Sequence, residues 1–401
     1  MNSSFFIQPL IFVSLVLTLG CAADYHSSTL QSSSSSRPEP EIPSYSPPVS
    51  YLREIQPIFD KRCVSCHSCY DAPAQLNLSC SDGLLRGATK QKVYDATRLV
   101  TADHTRLHVD AKTEEQWRNK GFFSILGDRQ SPSIIERLKS SILYQMLAQS
   151  RLHTLPYSQS VKDLVQDSHE PAKAPDQEEL SDYFKNYHHG GMPYFVQRLS
   201  NNEFNKIANW VAQGSPVESS DNTLSYDETE SVKLWESFLN QPSLKAQLVS
   251  RYLYEHWFIS HLYFESVPQS GNFKIVRSKT PPGQPISPIV TDLPNDNPGI
   301  TRVYYRLVKL HTVIKRKTHI PYPLSPEKLS RIQDLFYSEN WDLVTLPAYK
   351  SADRVNPFRV FTAIPAQSRY QFLLDNSYYF SYVIVKGVLP CFFILFIVEL
   401  V

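Results

Sequence analysis

The stretch RCVSCHSCYDAPAQLNL, from Arg62 to Leu78, sets Cys63, Cys66 and His67 in the order C-x-x-C-H and adds Cys69 three residues after Cys66. Three chemistries use such a cluster. Two thiols at this spacing add across the two vinyl groups of haem, and the adjacent His then lies under the iron as its axial ligand, the pattern of c-type attachment. Zinc needs a fourth ligand, which Cys69 would supply beside Cys63, Cys66 and His67. A disulfide between Cys63 and Cys66 is the plainest option. Haem c, covalently held and iron-bearing, accounts best for the pattern, and the roles of Cys69 and Cys80 stay open. A second axial ligand is usual for such a haem, and the chain has only 3 Met. Met146 sits in the apolar helical stretch SSILYQMLAQ, whereas Met192 lies in HHGGMPYF, where Gly190 and Gly191 let backbone approach a flat ligand closely. Met192 is therefore the expected distal ligand, with His188 or His189 next and an open position as the third alternative.

These residues need elements to hold them. Pro57 suits a first helical turn, where its missing N–H costs nothing, and Ile58 and Phe59 begin an apolar face that delivers Cys63 at the helix end. After Met192, LSNNEFNKIANWVAQG reads as a helix. Ser200 and Glu203 form a capping box, Phe204, Ile207, Ala208 and Val211 make one apolar face, and Gly214 ends it. A helix ending in C-x-x-C-H, a later Met-Pro loop and a final amphipathic helix give residues 49–216 the outline of a cytochrome c-like haem domain with a long insertion. Within that insertion Trp117, Phe122 and Phe123 read first as packing residues, and second as cover for a haem edge or a substrate channel.

Beyond Pro216 the character changes. Ser225 with Glu228 caps a helix carrying Leu234, Trp235, Phe238 and Leu239, and Ser243 opens another through LKAQLVSRYLYEHWFISHLYFE. The second is apolar nearly all round, so it is buried or touches lipid, with Glu255, His256 and His261 as polar exceptions. Their spacing is not that of a zincin pair, and hydrogen-bonded core residues are the preferred reading. From FKIVRS through PISPIVTDL to RVYYRLVKLHTVIKRKTHI the text is strand-like between Pro-rich turns. The fold class predicted is mainly α with a minor β part, the haem domain being followed by a mixed helical and strand domain.

Composition narrows the field of functions. A net charge of +1 gives no bulk attraction to nucleic acid, and no G-x-x-x-x-G-K-[ST] or G-x-G-x-x-G occurs to cradle phosphates. The N-terminus has an apolar run from Leu10 to Leu19 followed by Gly20, Cys21, Ala22 and Ala23, the outline of a signal peptide over residues 1–23. Export to the periplasm is expected, with a lipid anchor at Cys21 or other membrane association as variants. Export also suits covalent haem attachment, and structural zinc is less expected there. Residues 24–48 form a Ser/Pro-rich linker.

Most of the chain resembles the bacterial fatty acid cis/trans isomerases, exported c-type haem proteins that convert cis double bonds in membrane acyl chains to trans. The stretches that carry the resemblance are RCVSCHSCYDAPAQLNL, GGMPYF with its following helix, RYLYEHWFISHLYFE, KRKTHIPYPL and NPFRVFTAIPAQSRYQFLLDN. The resemblance implies that Cys63 and Cys66 attach haem, that His67 is its axial ligand, and that residues 217–401 form a family-specific α+β domain, incomplete at its end. It also implies unsaturated fatty acids or phospholipid acyl chains as partners, with peripheral membrane contact. The basic run Lys315, Arg316 and Lys317 reads first as a solvated edge and second as a contact for anionic lipid headgroups. Two departures stand out. Family members carry Cys where this chain has Ala74, and VIVKGVLPCFFILFIVELV leaves the expected text after Gly387, which reads as an aberrant terminus. The rival function is an electron-transfer c-type cytochrome with an accessory binding domain, and a peroxidase is a weaker third. Isomerisation would need no external reductant.

Overall fold

Helices dominate the first half because short apolar faces alternate with polar caps. In the computed structural model a π-helical turn, Tyr51–Ile55, runs directly into α1 (Gln56–Arg62), with Pro57 in its first turn and Cys63 as its C-cap. The structure describes residues 47–68, 72–95, 98–99, 102–152, 174–187, 189–194, 197–218, 223–310, 320–349 and 357–379. The expected signal peptide with Cys21, the linker up to residue 46, Cys69, His188, the basic run Lys315 to Lys317 and the chain from residue 380 lie outside them.

After α1 come α2 (Ser81–Arg86), α3 (Glu114–Asn119), α4 (Ile134–Ser140), α5 (Ile142–Leu152), α6 (Leu180–Asn186) and α7 (Asn201–Ala212). Two-residue strands form two small antiparallel pairs, β1 (Ala88–Thr89) with β4 (Phe122–Phe123) and β2 (Tyr94–Asp95) with β3 (Arg98–Leu99). The predicted capping box on α7 is present, Ser200 accepting from the Glu203 N–H while the Glu203 carboxylate accepts from the Ser200 N–H. Such a cap is worth about 1 kcal/mol. Gly214 sits just past the helix at φ +87, a left-handed position that glycine adopts without strain. One core gathers Tyr51, Phe59, Leu138, Tyr144, Phe184, Phe204 and Trp210.

The second half carries a separate core around Trp235, Trp257, Phe273, Tyr322, Phe336 and Phe372. Its elements are α8 (Tyr226–Leu239), α9 (Leu244–Trp257), β5 (His261–Phe264), β6 (Asn272–Ser278), β7 (Tyr304–Leu310), β8 (Pro321–Leu324), α10 (Pro326–Tyr337), α11 (Pro357–Val360) and α12 (Ala366–Asp375). The four strands form one mixed sheet in the order β7-β6-β5-β8, antiparallel except for the parallel β5–β8 pair. The helix expected to run from Ser243 to Glu265 ends at Trp257, and His261 to Phe264 become a strand instead. Parallel pairing to β8 explains the change: Leu262 and Phe264 alternate inward, and the His261 N–H reaches the Ile320 carbonyl at 2.8 Å. PISPIVTDL likewise forms no strand; its backbone meets the sheet at one bridge, between Ser278 and Pro288, because prolines cannot donate to a ladder. FKIVRS forms β6 as predicted, and YYRLVKL forms β7.

Strand β7 would be an open edge, and α8 with its C-cap closes it using side chains. Asn240 exchanges two hydrogen bonds with the Tyr305 backbone, at 2.8 and 2.9 Å, in the manner of a neighbouring strand. Glu236 takes the Leu307 N–H at 2.8 Å and pairs with Arg306 at 2.7 Å. Two turns earlier on the same helix, Glu228 accepts from Lys309 and from the Gly271 N–H. The Tyr305 N–H and carbonyl and the Leu307 N–H are thereby taken, which blunts this part of the edge for pairing with another chain.

Candidate functional site

The haem-type motif sits where α1 stops. Cys63 N–H closes the last helical turn on Phe59, and the Cys66 and His67 N–H groups both return to the Cys63 carbonyl, at 3.1 and 2.9 Å. This single turn carries all three residues. The Leu78 N–H then bonds the His67 carbonyl at 2.8 Å, tying the turn to the segment that follows. Cys63 is half-buried and Cys66 exposed, and both are free thiols. Burial pushes the Cys63 thiol up to about 12 and the His67 imidazole down to about 4, so both are uncharged at neutral pH. Nδ1 of His67 is buried without a hydrogen bond of good geometry, and the backbone at Leu76 and Pro73 only partly offsets its desolvation. Cys80 belongs elsewhere: it is buried, and its sulfur caps α2 by accepting from the Gly83 N–H at 3.4 Å. Ala74 lies in a short turn at φ +59, followed by Gln75 at φ +49. That left-handed pair costs free energy in non-glycine residues, and it is held by Arg86 on the Gln75 carbonyl and Thr105 on the Gln75 amide.

Arg62, one residue before Cys63, connects the motif to α7. Its guanidinium grips Glu203 through two bonds of 3.0 Å and Gln197 through a third of 3.0 Å. The Arg62 hydrogen bonds, ahead of those from Ser200, hold the Glu203 carboxyl down to about 2. The carboxylate thus caps α7 and anchors the end of α1 at once.

Beside it a cleft of about 340 Å³ opens between the last turns of α5 and the first turn of α7. Leu147, Met192, Leu199 and Phe204 supply apolar wall, and Ser150, Arg151, Arg198 and Asn201 supply polar wall. Met192 is placed there by its own backbone, whose N–H bonds the Met146 carbonyl at 2.9 Å. Gly191 allows that approach: a Cβ at this position would stand 2.3 Å from the Ser150 nitrogen. Cys63, Cys66 and His67 do not line the cleft, although Cys63 and Met192 both pack at the margin of the first core. His189 is exposed on the turn before Gly190 and is not a wall residue either. Arg151 and Phe204 were not singled out for function from sequence. The available signal was an arginine closing the otherwise apolar run ILYQMLAQS.

Other predicted positions resolve into packing. Trp117 and Phe122 stack edge-on at 5.2 Å in a small cluster of their own, with Arg86 over both rings. Glu255 pairs with Arg251 at 2.9 Å, and His256 Nδ1 lies 2.7 Å from the Tyr252 carbonyl. Among the described residues no group of three or more His, Cys, Asp or Glu side chains is arranged to hold a metal ion. No described helix is long and apolar enough to cross a membrane.

The family described as fatty acid cis/trans isomerase matches residues 102–391, well over half of the chain. The chain belongs to that family. It is an isomerase, and its reaction is the interconversion of cis and trans double bonds in fatty acids. No curated protein and no solved structure matches it. Within this isomerase the matched segment contains the whole cleft, α7 and the second core, whereas the Cys63–His67 turn precedes it.

Proposed function

We propose that this isomerase acts on single unsaturated acyl chains in the cleft beside Met192, assisted by a haem carried on the Cys63–His67 turn. The observation that carries the reading is the cleft itself, which lies inside the family segment and is joined by Glu203 to the helix that ends in the motif. The donor set fits a covalently attached haem. Cys63 and Cys66 are unbridged thiols on one turn, as thioether formation requires, and His67 is a neutral imidazole whose lone pair is available to iron. Met192 would be the further residue to hold the haem. When bound, the haem would supply reversible one-electron chemistry, which consumes no external reductant.

The protein's own part is positional. A cis bond kinks an acyl chain, and rotation to trans straightens it, so the walls must hold the chain on either side of the bond while the bond itself turns. Leu147, Leu199 and Phe204 offer an apolar surface that excludes water and grips methylene groups without directional demands. Gly191 and the Met146 carbonyl keep the Met192 backbone fixed, so that one wall does not move with the substrate. The two separate hydrophobic cores support a division near residue 216 into a haem-carrying domain of cytochrome c type and a family-specific domain. Export to the periplasm and contact with the membrane complete the proposal, since thioether attachment and acyl substrates are both found there.

The test has two parts. Acid-acetone treatment should leave haem with the wild-type polypeptide and release it from Cys63→Ala/Cys66→Ala. Incubation of the haem-loaded protein with palmitoleate should yield the trans product by chromatography, and should yield none from His67→Ala. Haem extracted from the wild type, or full isomerisation by the His67 variant, would sink the haem reading. The family match does not favour the electron-transfer alternative.

A further inference from the structure

Arginines in this protein are mostly closed on acids or backbone. Arg62 meets Glu203, Arg106 meets Asp110, Arg251 meets Glu255 and Arg306 meets Glu236. Arg151 differs. Its guanidinium donates to the side-chain oxygen of Asn201 at 2.9 Å and stacks 4.3 Å from the centre of the Phe204 ring, and no carboxylate pairs with it among the described residues. Both partners are neutral, so they fix the plane of the fork without consuming its charge, and four of its five N–H groups remain for a ligand. The side chain stands in the wall of the cleft, which it shares with Arg198 and with the apolar Leu147, Met192 and Leu199. A held guanidinium without a carboxylate partner, in a cleft whose wall is part apolar and part polar, is complementary to an amphiphile with an anionic end.

We infer that Arg151 receives the anionic head of the acyl substrate, with the first methylenes lying along Leu147, Met192 and Leu199. This rests on the isomerase reading and extends it to how the chain is set in register. A fixed head places the double bond at a set depth, so the position of the bond along the chain becomes a determinant of turnover. The shared chemistry is an oxyanion, which a free fatty acid supplies as carboxylate and a lysophospholipid supplies as phosphodiester. A cleft of about 340 Å³ lies near the lower end of the range for small-molecule sites and suits one chain.

Calorimetric titration of the full-length, haem-loaded protein separates the possibilities. The ligands are palmitate, its methyl ester and lysophosphatidylglycerol carrying a palmitoyl chain; all are saturated, so binding is read without turnover. Arg151→Gln should weaken the recognised anion at least ~10-fold, as loss of a charge-assisted bond implies. Arg151→Lys should weaken it less, and Asn201→Ala, which frees the fork but keeps its charge, less again. Methyl palmitate should bind weakly and equally to wild type and Arg151→Gln, a difference that a merely misfolded variant would not produce. Arginine dependence for palmitate alone assigns a carboxylate head, and for the lysolipid alone a phosphodiester; either supports the site. Equal affinity of wild type and Arg151→Gln for both anions overturns it, as does methyl palmitate binding as tightly as palmitate. Arginine-dependent binding without conversion of palmitoleate would count against the isomerase reading only, and conversion with arginine-independent binding against the head-group site only.

Discussion

The two cores of this molecule handle charge in opposite ways. In the second, charge is buried: the Arg306–Glu236 pair has side chains only 9% and 4% exposed, in a half whose core includes Trp257 stacked on Trp235 and Tyr322. In the first, charge stays at the margin, where Arg62 meets Glu203 and Arg151 rests on Phe204, beside the half-buried Cys63 and Met192. The difference separates scaffold from chemistry. A carboxylate buried under aromatics fixes one arrangement of helix and strand, while charges at a core margin remain within reach of a ligand.

The comparison breaks most sharply at the buried pair. Arg306→Met should destabilise by about 3–5 kcal/mol in urea unfolding, because it strands a carboxylate that burial already pushes up. Glu236→Gln combined with Arg306→Met should recover much of that loss. A single variant as stable as wild type would mean that the second core does not depend on its buried charge. Next in size is Gly191→Ala. The added methyl would meet the Ser150 nitrogen and the Met146 carbonyl, which are backbone atoms that cannot swing aside. We expect about 1–3 kcal/mol lost by thermal melting and weaker palmitate binding, with the second core unaffected.

The smallest effect sharpens the comparison through pH. Glu203 has its pKa held at about 2 against an ordinary 4.5, so the folded state favours its ionised form. Its contribution is present in full above about 4.5 and is lost as pH falls towards 2. Glu203→Gln should therefore cost about 1 kcal/mol at pH 6, as suits a pair near the surface, and the gap to wild type should narrow by pH 2, where half of the carboxyl is still ionised. Melting curves at the two pH values provide the check, and a gap undiminished at pH 2 would show that Glu203 acts by shape and not by charge.

Local signals in the chain were legible where the physics is local. Ser200 with Glu203 and Ser225 with Glu228 mark helix starts because capping joins residues three apart, and both boxes are present. Pro57, Ile58 and Phe59 likewise mark the helix that ends at Cys63. HLYF was misread as helix because nothing within the stretch announces a parallel partner sixty residues later. The cleft was hidden for a related reason. Met192 stands out beside its glycines, but Arg151 acquires meaning only when α5 and α7 bring it to Phe204 and Asn201. The C-x-x-C-H spacing was plain, while the Arg62–Glu203 bridge that fastens it spans 141 positions.

The parallel pairing of β5 with β8 also sets a timetable. Strand His261–Phe264 is flanked by β6, which follows it closely, and by β8, which begins only at Pro321. As the polypeptide emerges N-terminus first, the first core has all of its residues once Val217 has emerged, and it is free to close early. The sheet must wait for Pro321 to Leu324, and Tyr322 then reaches Asn376 on the far side of α12 before its hydroxyl is satisfied. A nascent chain stopped between these points would present a finished thiol-bearing turn beside an unfinished aromatic surface, the state in which helper proteins would meet it.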